Sequence, residues 1–352
     1  MEEHLLCKQG VVGSSPIIST NDTCGRPENA MKAIVYDRYG PPDVLELREV
    51  DKPAAKDDEV LVRVHAASVN PADWHLMTGT PYIARLSAGL RKPKDQIPGL
   101  DVAGRVEAVG SNVTRIRPGD EVFGAHSKTF AEYVCVPEDG IALKPANLTF
   151  EQAAAVPVAG ITALQGLRDK GRLQPGQKVL IIGASGGVGT FAVQLAKSFG
   201  AEATGVCSTR NVELVRSIGA DHVVDYTQED FTRRGQRYDV VFQVAGTRSP
   251  SDCRRVLTSR GTLVLCSGEG GGRLLGPVGR IVGALVRSRF WSQRAVMWIS
   301  NATSKDLVEL KELIEAGTVT PVIDRRYPLD EASEALRYQE KGHTQGKTVI
   351  TV

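Results

Sequence analysis

Charge of one sign is missing from this sequence: 43 Lys and Arg stand against 41 Asp and Glu in 352 residues, a net charge of +2. Such a balance gives no reason to expect nucleic acid as partner and leaves small molecules as the expected ligands. Aromatic residues are scarce, at 5%. No apolar run reaches the roughly 18–20 residues needed to span a bilayer, because Arg280, Arg287 and Arg289 interrupt the most hydrophobic late stretch, so stable membrane insertion is excluded. The six cysteines, Cys7, Cys24, Cys135, Cys207, Cys253 and Cys266, never fall in C-x-x-C spacing, which argues for a reducing, cytoplasmic setting. Residues 1–30 lack the apolar centre of a signal peptide. They read as a disordered or misassigned extension, since periodic structure begins at Met31.

Glycine is plentiful, with 36 residues, and 41% hydrophobic composition over this length predicts a sizeable core and two domains. From residue 32 to about 135, short β-rich runs at 33–36, 59–67, 102–109 and 121–123 are punctuated by Gly, Pro and Asp, as in a mostly antiparallel barrel. After Pro145 short apolar runs alternate with helical patterns, the signature of βαβ units and a parallel sheet. Buried strands are expected at 179–182, 203–207, 222–224, 240–244 and 262–266, helices at 189–199, 211–218 and 305–315, and a strand over 347–352.

The segment Gly183-Ala-Ser-Gly-Gly-Val-Gly189 lies where an apolar strand turns into a helix, the context that makes a glycine-rich turn a dinucleotide fingerprint. Gly186 lets backbone approach a pyrophosphate, Gly189 permits close packing of helix on strand, and the N–H groups of Gly187 and Val188 open the helix toward the phosphates. About 20 residues on, an NAD site places a carboxylate at the end of the second strand. Here that strand ends in Ser208-Thr209-Arg210. A hydroxyl and a guanidinium suit a 2′-phosphate, so NADPH is the expected cofactor; the competing reading makes Arg210 an ordinary surface cation.

These landmarks, with Pro98-Gly-Leu-Asp-Val-Ala-Gly104, Arg117-Pro-Gly-Asp-Glu-Val122, Gly219-Ala-Asp-His-Val-Val-Asp-Tyr226 and Gly346-Lys-Thr-Val-Ile350, resemble the medium-chain dehydrogenase/reductase superfamily over nearly everything from Met31 onward. The resemblance implies an α/β fold with a GroES-like catalytic β-barrel domain at 31–153, a Rossmann doubly wound NADP-binding domain at 154–300, and a C-terminal return to the catalytic domain at 301–352. Where zinc members carry metal ligands, this chain has Asn70, Leu100 and Val158, so no metal is expected. Asn70-Pro71 is similar to the zinc-independent quinone oxidoreductases, the zeta-crystallin-like and reticulon-4-interacting relatives. Transferred residue by residue, Asn70 and Thr162 position the nicotinamide. Ser185, Gly186, Gly187, Val188, Val244, Ala245, Gly246, Ser267 and Gly346 line the cofactor, and Tyr226 lies near the adenosine ribose phosphate. Lys347 either adds charge there or is a solvated edge residue.

The implied activity is hydride transfer from NADPH to a small-molecule acceptor, a quinone, enone or aldehyde, by a homodimer; enone reduction at a carbon–carbon double bond and cofactor binding without turnover are the alternatives. His75 stands where those relatives commonly have a Tyr after Asn-Pro, with Trp74 before it and Tyr82 a few residues on, and His75 is placed to protonate a reduced oxygen, unless it is merely packed or solvated. Gln243 stands where the family's fourth strand has Asp. The stretch 274–297, with Phe290 and Trp291, alternates apolar residues with arginines and reads either as an apolar substrate entrance or as a core or subunit contact.

Overall fold

The structure is a computed structural model that describes residues 29–246, 248–266 and 292–352. Most of the expected extension, Ser267, and residues 274–291 of the expected entrance lie outside the described residues.

The N-terminal half is organised by β3 (Glu59–Val69). Its first part buries Val60, Val62 and Val64 on one face and exposes Arg63 and His65 on the other, where Leu61 alone is covered. From Ala66 to Val69 every side chain is buried. The change coincides with a change of neighbour. β4 (Asp101–Val109) pairs along one side throughout, whereas the other side pairs first with β6 (Tyr133–Pro137) and then with β15 (Lys347–Thr351). With β5 (Glu121–Ala125), β7 (Ile141–Leu143) and β14 (Ile323–Pro328) these form one sheet, antiparallel except for the parallel pair β14–β15. A separate antiparallel pair joins β1 (Ala30–Val35) to β2 (Glu46–Asp51).

The second sheet has six parallel strands: β8 (Lys178–Ile182), β9 (Glu202–Cys207), β10 (His222–Asp225), β11 (Tyr238–Gln243), β12 (Leu257–Leu265) and β13 (Arg294–Met297). Their spatial order is β10-β9-β8-β11-β12-β13, the doubly wound order in which direction reverses beside the first strand and opens a crevice there. The stretch 294–297 therefore belongs to the parallel sheet.

Between the sheets run α3 (Phe150–Ala154) and α4 (Pro157–Gln165). α4 is buried almost throughout, consistent with its lack of a charged residue. One core cluster contains Ala66, Ala103 and Phe123 from the first sheet, Val179, Ile181 and Phe242 from the second, and Phe191 from the helix that follows β8. Each fully buried large apolar side chain contributes about 1.5–3 kcal/mol, so the two halves are tied by a shared interior.

Candidate active site

The cofactor crevice is built by the turn from β8 into α5 (Gly187–Ser198). Gly183 adopts φ +91°, and its carbonyl lies 2.1 Å from where a Cβ on Gly189 would sit, so any side chain at 189 would push helix and strand apart. A Cβ on Gly186 would meet only the Gly183 oxygen at 3.7 Å. That open approach, at the N-terminus of a twelve-residue helix, fits a pyrophosphate. Across the crevice the Val244 and Ala245 N–H groups donate to Ile182 O at 3.1 and 3.2 Å, and Gly246 turns the chain at φ +91°. Gln243 holds this turn by donating to the Gly246 and Arg248 carbonyls at 3.3 and 3.2 Å.

At the end of β9, Ser208 Oγ and Ser185 Oγ share the Asn211 amide, at 3.3 and 2.8 Å, and Gln345 donates to the same Asn211 at 2.6 Å. Arg210 is exposed and donates to His343 O at 3.0 Å; Tyr226, also exposed, donates its backbone N–H to Cys207 O at 3.0 Å. Ser208, Arg210 and Tyr226 thus meet at one corner. The same corner holds a carboxylate that the end of β9 does not reveal: Asp225, on neighbouring β10, accepts from Thr209 Oγ1 at 2.6 Å and Thr227 Oγ1 at 2.7 Å. These hydroxyls hold its carboxyl below the ordinary range.

The other end of the crevice is where the structure departs furthest from expectation. Lys347 is neither near the adenosine phosphate corner nor on a solvated edge. It is 3% exposed, because β15 lies between β14 and β3. Its stem passes Gly187, where an added Cβ would lie 2.8 Å from the lysine Cδ. Its ammonium donates to Val69 O at 3.0 Å, Asn70 Oδ1 at 2.5 Å and Asp101 Oδ2 at 3.1 Å. An ammonium has no acceptor, so Asn70 must present its oxygen to Lys347 and its Nδ2 elsewhere: 2.8 Å to Asp101 Oδ2 and a long 3.4 Å to Ser68 O. Asp101 is buried and also accepts from Ser68 Oγ at 2.6 Å and from Val158 N at 2.8 Å. Thr162, one helical turn beyond Val158 on the same face of α4, shares a 2.8 Å hydrogen bond with Ser300 Oγ. Asn70, Gly186, Gly187, Gly346 and Lys347 are thereby drawn together, with Thr162 one turn from the Val158 N–H that joins them; Gly346 N donates to Ser185 O at 2.8 Å.

Asn70 also precedes α1 (Pro71–Thr78). Asp73 reaches back to accept from Asn70 N at 2.7 Å, as helix-start carboxylates do. Asp73 is 1% exposed and its Oδ1 has no partner. Burial, more than the nearby Asp101 charge, pushes its carboxyl up to about 7, against hydrogen bonds from the Asn70 and Gly99 backbone and the Lys347 charge. It lines a cavity of about 200 Å³ with Tyr36, Leu76, Lys94, Leu100 and Ser127. Further along α1, exposed His75 lies with Nδ1 2.7 Å from Thr80 O. A carbonyl only accepts, so the proton is on Nδ1 and Nε2 is the free nitrogen. Tyr82, 42% exposed, lies against Arg85 at 4.6 Å; neither His75 nor Tyr82 hydrogen-bonds to the Asn70 network.

Sequence reasoning missed Asp101, Ser68, Asp73 and Ser300. Asp101 was within the quoted Pro98–Gly104 motif, but its partner lies 246 positions away. Among the described residues no three His, Cys, Asp or Glu side chains converge in a group able to hold a metal ion, and no helix is long and apolar enough to cross a membrane.

Two family profiles match: the alcohol dehydrogenase GroES-like domain over residues 56–146 and the zinc-binding dehydrogenase domain over residues 218–350. The mitochondrial NAD(P)H oxidoreductase RTN4IP1 of Mus musculus is 33% identical, over 98% of this chain and 95% of its own length. The chloroplastic NADPH-dependent alkenal/one oxidoreductase of Arabidopsis thaliana is 35% identical, over 91% of this chain and 79% of its own. Among solved structures, the quinone oxidoreductase from Coxiella burnetii superposes with a TM-score of 0.81 at 32% identity, covering 92% of this chain and 99% of that one. With a GroES-like half, a doubly wound cofactor half and quinone and NAD(P)H oxidoreductases among its relatives, the chain belongs to the medium-chain dehydrogenase/reductase superfamily, in its zinc-independent quinone oxidoreductase branch.

Proposed function

We propose that this protein is an NADPH-dependent oxidoreductase that passes hydride to quinones and to carbonyl-conjugated double bonds without a metal. The observation that carries the reading is the buried Lys347–Asn70–Asp101 cluster at the mouth of a crevice suited to a dinucleotide. NADPH supplies the hydride when bound. The N-terminus of α5 with Ser185, Gly186, Gly187 and Val188 would hold its pyrophosphate, Ser208, Arg210 and Tyr226 its 2′-phosphate, and Val244, Ala245 and Gly246 its flank. Lys347 and Asp101 fix the plane of the Asn70 amide, and the Asn70 N–H that makes only a long 3.4 Å contact with Ser68 O is the one that can be shared with an acceptor carbonyl without turning the amide. The Thr162–Ser300 hydroxyl pair orients the same region. With Nδ1–H held by Thr80 O, His75 would deliver a proton only from Nε2 of its doubly protonated ring, from a solvent-facing position, and Tyr82 would form an aromatic wall beside it.

Supporting a homodimer, β13 pairs only with β12 among the described residues, which leaves an open sheet edge for a second copy. Free thiols at Cys135, Cys207, Cys253 and Cys266 support a reducing, cytosolic compartment. We place the domain limits at 31–153, 154–300 and 301–352. The decisive experiment follows NADPH oxidation at 340 nm with a panel of quinones, enones and aldehydes. Turnover with quinones or enones is expected; saturable NADPH binding with no turnover of any acceptor would replace the enzyme reading by a binding role.

A further inference from the structure

From Trp74 to Lys94 the sequence carries Arg85, Arg91, Lys92 and Lys94 and neither Asp nor Glu, a local charge of +4 in a chain whose total is +2. This stretch forms the end of α1, a turn at Tyr82–Ala84, the short α2 (Arg85–Ala88) and a return loop. Within it Leu76, Tyr82, Ile83, Leu86 and Leu90 are exposed, the two leucines of the return by 71% and 68%. A single exposed leucine is ordinary. Five large apolar side chains on one fifteen-residue lobe form a patch of the kind that marks a contact surface.

The lobe is not loosely attached. Tyr39 donates its hydroxyl to Gly89 O at 2.6 Å, Lys94 N donates to Ala88 O at 2.8 Å, and Arg85 donates to Gly79 O at 2.9 Å while lying 4.4 Å from the Tyr39 ring. Arg85 is thus spent inside the lobe. Arg91, Lys92 and Lys94 remain exposed, and no ion pair among the described residues engages them. Leu76, Ala88, Pro93 and Lys94 line the same cavity as Asp73 and Leu100.

We propose that this lobe is a docking surface for an anionic bilayer, Leu86 and Leu90 entering the headgroup–acyl boundary while Arg91, Lys92 and Lys94 meet lipid phosphates. Interleaved apolar and cationic side chains, with the bordering carboxylate Asp95 paired to Lys128 at 3.2 Å, match the chemistry of an anionic lipid surface. A second copy of the chain fits worse, because a two-fold contact through this lobe would set its cations against themselves. The inference goes beyond hydride transfer and does not need it.

The test is co-sedimentation of the full chain with phosphatidylcholine vesicles, and with vesicles containing roughly 30 mol% phosphatidylserine, in the absence of NADPH. Binding to the anionic vesicles alone is expected, falling about tenfold or more with Leu86→Asp/Leu90→Asp and with Arg91→Gln/Lys92→Gln/Lys94→Gln, and unchanged by Leu47→Asp on another exposed surface. Thermal melts of each variant confirm that it is folded. The proposal is overturned by no binding, by equal binding to both vesicles, or by folded lobe variants that bind as the parent does. Dimerisation abolished by Leu86→Asp/Leu90→Asp, without vesicle binding, would assign the patch to a second copy. Each of these failures leaves the hydride-transfer reading standing, because NADPH oxidation with a water-soluble acceptor is measured separately.

Discussion

Replacing Lys347 with Met keeps the length of the stem beside Gly187 but removes an ammonium that makes three hydrogen bonds, to Val69 O, Asn70 Oδ1 and Asp101 Oδ2. Breaking one side of a buried ion pair costs about 3–5 kcal/mol, chiefly because the remaining charge is stranded. Asp101 would not be wholly stranded, since Ser68 Oγ, Asn70 Nδ2 and Val158 N still donate to it at 2.6, 2.8 and 2.8 Å. The lower end, about 3 kcal/mol, is therefore expected. Asp101→Asn alone should cost a similar amount, for it leaves the lysine buried without its carboxylate. The double variant buries neither charge and should recover at least half of the summed loss. Urea unfolding of the four proteins, followed by tryptophan fluorescence, closes the cycle. A loss under about 1 kcal/mol for Lys347→Met, or strictly additive losses in the double variant, would refute the claim that this pair is a coupled buried unit.

Other expectations follow from the same geometry. Native Asp73 keeps its proton up to about pH 7, whereas an unfolded Asp releases it near 3.9. The native state therefore binds more protons between those values, and Asp73 makes stability fall as pH rises from about 4 to about 7, by up to about 4 kcal/mol. Asp73→Asn should flatten that slope in urea midpoints measured at pH 5 and pH 8; an unchanged slope would remove Asp73 from the account. Arg210→Ala should weaken NADPH binding by about 1.5–3 kcal/mol and leave NADH nearly unchanged in calorimetric titration, the scale of a charge-assisted hydrogen bond. Equal losses for both cofactors would put Arg210 outside the 2′-phosphate corner. Activity should survive exhaustive chelation, because Asn70, Leu100 and Val158 offer no metal-ligand set; stoichiometric zinc whose removal abolishes turnover would contradict this.

Elements with a strong period and a single local cause were legible in the sequence. The run Val179–Ile182 is buried on both faces and followed by glycines, so strand, turn and helix announced themselves within a few residues. β2 was not legible: its residues Glu46-Leu-Arg-Glu-Val-Asp51 are mostly exposed, and only pairing with β1 makes them a strand. β13 hides in an arginine-rich stretch for the same reason, taking its state from β12. The lysine's position was hidden by distance. Asn70 and Lys347 are 277 positions apart, and nothing local distinguishes a lysine that ends beside a buried carboxylate from one on a wet edge.

The placement of β15 sets the order in which the molecule can be completed during synthesis. β3 is made early, yet one side of its last four residues, Ala66 to Val69, has no partner until residues 348–351 exist. The parallel sheet, by contrast, draws on residues 178–297 and can assemble as a block while the chain is still growing. Until β15 arrives, a strip of backbone amides and carbonyls on β3 waits unpaired, next to an Asp101 carboxylate with no cation. Such an edge invites wrong partners and slow, long-range closure. A ribosome stalled shortly before residue 347 would thus hold an intermediate with a finished cofactor fold and an unfinished reaction centre, and chaperone capture should concentrate in that window.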